Sequence, residues 1–291
     1  MPLGAFFPNL AFDNDPEAIR AWAQAVEELG YDYIDIPDHT VGVDRASRPE
    51  FEGPYDLSNP YHETFVTMGF LAAITRRVRL KSSVLILPQR QTALVAKQAA
   101  EVDVLSGGRL DLGIGVGWNP VEYEALGQDW DSRGRRQNEQ VAAMQHLWCD
   151  DIVKFEGEWE TLNGVGLNPP AIQRPIPIWF GGSVDAALRR AAKHGAGWIP
   201  LGDPDENAEK RLEKLRHYLH EEGRDTENFG IECWIRTRDP NPDTWLENAR
   251  QWRALGATHV TLYTAGTYMG AVPEQIEALR CFKEMMVKDG F

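Results

Sequence analysis

Cysteine is scarce in this chain: 291 residues include three, Cys149, Cys233 and Cys281, odd in number and far apart. That spacing excludes a disulfide framework and a zinc knuckle, so the three read as buried thiols and no metal site is expected. Basic residues are in deficit too, with 30 Lys and Arg against 44 Asp and Glu and a formal charge of −14. Such a surface repels nucleic acid and anionic membranes. The densest basic cluster, Arg133, Arg135 and Arg136, falls at a predicted helix start and reads as a solvated face. No apolar run approaches the roughly 20 residues that span a bilayer, and the chain start carries neither the cationic segment nor the small-residue cleavage site of a secretory signal. A cytoplasmic location is expected. Familiar catalytic signatures are missing as well: His62-Glu63 has no second histidine to make a zinc-protease helix, and neither a Gly-x-Ser-x-Gly elbow nor a phosphate-binding Gly-x-x-x-x-Gly-Lys-Ser/Thr loop occurs.

What is present has the composition of a globular enzyme, 43% hydrophobic and 25% charged. Its organising stretch is residues 105–123, Leu-Ser-Gly-Gly-Arg-Leu-Asp-Leu-Gly-Ile-Gly-Val-Gly-Trp-Asn-Pro-Val-Glu-Tyr. Gly107 and Gly108 supply the positive φ that ends a helix, and residues 110–116 form a short apolar run fit for a strand buried on both faces. The backbone is then bare at Gly115 and Gly117 before a helix start with Asn119 as N-cap, Pro120 in the first helical position and Glu122 three residues after the cap. Similar βα steps recur on both sides. Ile19, Trp22, Ala23, Val26 and Leu29 keep the spacing of one buried helix face, and apolar runs at 33–36, 79–87, 178–180, 197–199, 230–235 and 259–263 are each followed by helical periodicity. With residues 4–8, the count is eight strands, each followed by a helix. This favours a (β/α)8 TIM barrel, one domain over residues 1–291, interrupted by insertions at about 40–62 and 150–172. The first insertion is long for a compact domain and is a candidate lid or substrate loop.

In a barrel the chemistry sits where the strands end. Those positions are Asp38 and His39 after strand two, Ser83 and Val84 within strand three, Gly115, Gly117, Trp118 and Asn119 after strand four, and Gly181, Gly182 and Ser183 after strand five. Phe180-Gly-Gly-Ser ahead of an amphipathic helix is a plausible anion site, because free backbone N–H groups and the helix dipole both face it. His39 titrates near neutrality and is a candidate general acid or base. Gly113-Ile-Gly-Val-Gly-Trp departs from a dinucleotide fingerprint, since its third glycine comes one residue early and no acid follows about 20 residues on. A barrel glycosidase needs two facing carboxylates at strand ends, and the sequence supplies no such pair; Glu122 reads as a helix cap.

Pro37-Asp-His39, Arg79-Leu-Lys-Ser-Ser-Val-Leu-Ile-Leu-Pro88, the run from Ala96 to Asn119, Arg133-Gly-Arg-Arg136 and Pro177-Ile-Trp-Phe-Gly-Gly182, in that order, resemble the bacterial luciferase-like monooxygenase superfamily, in particular its flavin- and deazaflavin-dependent oxidoreductases. The resemblance covers about residues 4–200. It implies a flavin-like ring at the barrel mouth, a non-prolyl cis bond at Ser83-Val84 behind the ring, and a cofactor phosphate on Gly181, Gly182 and Ser183. Asp38, Ser83, Val84, Gly115, Gly117 and Asn119 would complete the cofactor site, with His39 and Trp118 as catalytic-site residues. The implied cofactor is coenzyme F420, which passes hydride, or alternatively FMN for a monooxygenase supplied by a flavin reductase. A homodimer acting on a small-molecule substrate is expected. Deazaflavin-dependent sugar-phosphate dehydrogenases of the superfamily carry a glutamate where this chain has Trp118, so a fairly apolar substrate is expected instead. A non-catalytic partner chain, as in luciferase systems, is the rival expectation.

Overall fold

Eight parallel staves close into a barrel in the computed structural model, which describes residues 1–12, 14–265 and 270–291. In chain order the elements are β1 (Leu3–Phe6), α1 (Pro16–Glu28), β2 (Tyr33–Ile36), α2 (Thr64–Ile74), β3 (Arg79–Ser82), β4 (Leu85–Ile86), α3 (Thr92–Ser106), β5 (Leu110–Gly115), α4 (Pro120–Ala125) and α5 (Arg133–Cys149). They continue with β6 (Val153–Glu156), β7 (Thr161–Val165), β8 (Ile178–Gly181), α6 (Asp185–His194), β9 (Gly197–Ile199), α7 (Glu206–Glu221), β10 (Gly230–Arg236), α8 (Pro242–Leu255), β11 (His259–Tyr263) and α9 (Val272–Lys288). Neighbours pair β1–β2–β3–β5–β8–β9–β10–β11, and β11 returns to β1 with Leu3 opposite Val260. Each stave is short and buried on both faces, so strand β2 reads Tyr-Ile-Asp-Ile without polar alternation.

The predicted third strand, 79–87, is broken. Backbone pairing stops at Ser82 and resumes for two residues at Leu85, and the Ser83-Val84 peptide bond between them is cis. Helix α1 buries four of the five expected residues, Ile19, Trp22, Ala23 and Val26, against the barrel, with Leu29 at its C-cap and Asp15 capping the N–H of Glu17. Helix α3 buries Val95 and Val102 but leaves Leu94 and Leu105 exposed, against the inner stripe their spacing suggests. Insertion 150–172 carries the antiparallel hairpin β6–β7, and residues 40–62 contain no helix or strand. Of the three thiols only Cys233 is buried; Cys149 is exposed and Cys281 intermediate, because α5 and α9 turn those positions outward. Among the described residues no helix is long and apolar enough to cross a membrane.

The lower barrel is filled by charge rather than by aliphatic layers. Lys81 on β3 hydrogen-bonds Glu232 on β10 and lies 3.3 Å from Asp35 on β2, all three essentially buried. Its ammonium rests 3.7 Å from the Tyr33 ring centroid, and the Thr261 hydroxyl lies 2.7 Å from Asp35 Oδ2 and 2.9 Å from Glu232 Oε1. Burial pushes the Asp35 carboxyl well up, reinforced by the charge of Glu232, while Lys81 and hydrogen bonds hold Glu232 low despite its burial.

Candidate active site

Around His39 the mouth is built from the ends of β2 and β5 and the loop over residues 40–61. His39, three residues beyond β2, is held from behind by Glu122 on α4: Nδ1 lies 3.2 Å from Oε1 and 3.3 Å from Oε2, and the Thr40 N–H donates to Oε1 at 2.8 Å. Glu122 is 1% exposed. The expected capping role for it is therefore wrong. Asn119 caps α4, accepting from the Val121 N–H at 3.0 Å, with Pro120 in the first helical position. Burial works to raise the Glu122 carboxyl, but the His39 contact and backbone N–H donors outweigh it and keep the group below its usual 4.5. Ionised at neutral pH, it accepts, so His39 donates from Nδ1 and presents Nε2 elsewhere.

Rings surround the imidazole. Tyr61, Tyr55 and Trp118 lie 4.6, 5.2 and 5.7 Å from it by ring centroids. Tyr55 and Tyr61 come from the 40–61 loop, Trp118 from the turn after β5. Burial and the neighbouring Tyr55 raise the Tyr61 hydroxyl far above its ordinary value, so it stays neutral. The loop is fastened by its own contacts: Arg45 bonds Asp56 at 2.5 Å, the Phe51 carbonyl at 3.0 Å and the Gly53 carbonyl at 2.7 Å. Trp118, 40% exposed, separates two hollows. A small one of about 70 Å³ touches His39, Tyr55, Tyr61 and Asn119; an outer groove of about 630 Å³ runs over Phe51, Gly53, Pro120 and Val121.

Asp38 is 3% exposed, and its carboxylate is occupied within the protein. Oδ1 accepts from Thr64 Oγ1 at 2.9 Å and Arg90 at 2.6 Å, and Oδ2 from the Ile86 N–H at 2.9 Å. It ties the end of β2 to the resumption of the broken strand. The bare backbone at Gly115 and Gly117 has a cause within the chain itself. A methyl group at Gly115 would come 2.7 Å from Val84 Cγ2, one at Gly117 2.8 Å from Ile86 Cγ2, and one at Gly181 3.0 Å from Val84 Cγ1. The glycines seat Val84 and Ile86, so the break between β3 and β4, the end of β5 and the end of β8 converge on one valine. Gly117, at φ +70°, also needs glycine for its backbone. The Arg cluster on α5 is only partly solvated: Arg136 donates to the Pro88 and Arg90 carbonyls, Arg133 stacks on Trp130, and Arg135 faces solvent.

A flavin-type cofactor with a phosphate fits these residues. Gly182 takes φ +111° and turns its carbonyl to the Trp198 indole at 2.7 Å, at the threshold of α6. The Ser83 and Ser183 hydroxyls, one in the broken strand and one in the loop, are buried without a hydrogen-bond partner among the described residues. Buried hydroxyls in that state are normally satisfied by something, here at the two places where a ring and a phosphate would lie.

Several known proteins are similar to this chain in sequence or fold. A protein of unassigned function from Mycobacterium tuberculosis is 37% identical over 215 residues, covering 72% of this chain and 73% of that one. An FMNH2-dependent dimethylsulfone monooxygenase of Pseudomonas putida is 28% identical over 224 residues, 76% of this chain and 58% of the other. The fold superposes on the coenzyme F420-dependent tetrahydromethanopterin reductase of Methanopyrus kandleri with a TM-score of 0.79, 14% identity and 99% of both chains covered. Residues 2–265 match the luciferase-like monooxygenase family. The chain belongs to that family.

Proposed function

We propose that the protein is an oxidoreductase that uses reduced deazaflavin F420 to reduce a small, fairly apolar carbonyl, imine or activated alkene. The observation that carries the reading is His39, fixed by buried Glu122 and ringed by Tyr55, Tyr61 and Trp118 at the C-terminal end of the barrel strands. When bound, the cofactor supplies the hydride. His39 supplies or orders the matching proton from Nε2, because Nδ1 is committed to Glu122. Ser83 and Val84 back the ring, Gly181 to Ser183 hold the phosphate, and the aromatic rings exclude water. Trp118 and the 40–61 loop admit apolar molecules.

A second reading, reduced FMN with oxygen in a monooxygenase served by a flavin reductase, is favoured by the Pseudomonas putida relative. Titration of the purified protein with oxidised F420 and with FMN, followed by fluorescence, separates the two. Tight F420 binding is expected; FMN binding without F420 binding overturns the first reading in favour of the second. Homodimerisation is part of the proposal, supported by α2, which carries no charged residue along Thr64–Ile74 although its outer side, with Val66, is exposed.

A further inference from the structure

Glu232, Trp234 and Arg236 alternate along β10 and so share one face of the strand, each a layer nearer the mouth than the last. The Glu232–Lys81 contact across the barrel fixes that face as inward. Above it, Trp234 meets Phe6 of β1 at 5.3 Å between ring centroids and stacks on Tyr263 of β11 at 5.5 Å. Arg236 lies over both the Trp234 and Tyr263 rings, at 5.7 and 5.8 Å. Glu232 is fully buried, whereas Trp234, Arg236 and Tyr263 are half-buried, so this upper layer borders open space.

Arginines that brace this fold look different. Arg109 donates to Ser106, Val78, Ala72 and Thr75, and Arg79 grips Asp111 with two nitrogens at 2.7 and 2.8 Å. Among the described residues, Arg236 has one long hydrogen bond, 3.4 Å to the Gly202 carbonyl, and its nearest carboxylate, Asp203, is 3.9 Å away. A guanidinium held beside two aromatic rings, with most of its fork uncommitted, is suited to a planar carboxylate. A second donor is close by. The hydroxyls of Tyr55 and Tyr263 meet at 3.3 Å, and a bond between them uses only one of their two protons. The Tyr55 ring is in turn 5.2 Å from His39.

We propose that Arg236, with the Tyr55–Tyr263 hydroxyl pair, receives a carboxylate carried by the substrate, whose apolar body then runs along Tyr55 toward His39. The second half of this statement rests on His39 being the reacting end of the site. The substrates are thus apolar molecules with one anionic group, and Arg236 selects them against neutral analogues.

Phenylacetate and its neutral isostere phenylacetamide test the receptor by calorimetric titration of the purified chain. Wild type is expected to bind the acid at least tenfold more tightly. Arg236→Gln removes that preference and leaves the amide unchanged, Arg236→Lys retains part of it, and Tyr263→Phe weakens the acid a few-fold. Equal affinity of wild type for the two probes, or loss of both in Arg236→Gln with an unchanged melting temperature, overturns the receptor. Should Arg236→Gln not fold, the Lys and Tyr263 variants decide by the same ratio. F420 and FMN titrations of the variants supply a separate arm. Loss of cofactor binding in Arg236→Lys, with the acid preference intact, assigns Arg236 to the cofactor and overturns the proposal. Wild type that discriminates the probes yet binds neither cofactor leaves the receptor standing and removes the oxidoreductase reading.

Discussion

The barrel holds two buried acid–base clusters, and they are built to opposite ends. In the lower barrel, Lys81, Asp35 and Glu232 contact one another, Thr261 and the Tyr33 ring, and every cationic and anionic group is turned inward. At the mouth, His39 and Glu122 form a pair with one committed side: Glu122 is as buried as the lower carboxylates, but the His39 side chain is 14% exposed and faces a hollow. A closed cluster holds strands together. An open one keeps a nitrogen for chemistry. Position along the barrel axis thus separates stability from function, with the strand C-termini reserved for the site.

The comparison breaks most visibly at Lys81. Lys81→Ala leaves two buried carboxylates facing each other, and urea unfolding should show a loss of about 3–5 kcal/mol, while turnover per folded molecule changes little. His39→Asn should do the reverse, lowering turnover by about 10²–10⁴-fold for want of a proton donor with unfolding changed by less than about 1 kcal/mol. If the two variants lose stability equally, the mouth pair is structural and the contrast fails. Glu122→Gln should cost about tenfold in turnover, the scale for a residue that orients another. It also sharpens the contrast through pH. The Glu122 pKa is lower in the folded chain than in the unfolded one, so its contribution is complete above about 4.5 and is lost as pH falls through the lower folded value. Wild type should therefore shed more stability than Glu122→Gln between pH 5 and pH 3 in thermal melts.

Much of this was legible from residue order. Apolar runs alternating with amphipathic helices gave the barrel, and Pro37-Asp-His39, Ser83-Val84 and Phe180-Gly-Gly-Ser marked three of its strand ends. Partners distant in sequence were not legible. Glu122 sits where a capping acid belongs, 83 residues from His39, and only the fold shows which N–H groups its oxygens meet. Lys81 lies in a run whose neighbours read as an ordinary strand; its acids come from β2 and β10, and no local pattern announces a charge inside a barrel. Gly115 and Gly181 were identifiable as places where backbone is approached closely, but that the visitor is Val84 follows from the break in strand three. Asp38 looked like a ligand for want of any visible partner; Thr64, Ile86 and Arg90 are 26 to 52 residues away.

The loop over residues 40–61 owes its shape largely to Arg45, which gathers Asp56 and the carbonyls of Phe51 and Gly53. Its folding instructions are local, and it touches the barrel through a few rings and the Arg48–Glu124 pair. Such a segment behaves as an exchangeable cartridge. Exchanging it for another sequence would change what the pocket admits while leaving β3, β4, β5 and β8, locked around Val84, as they are.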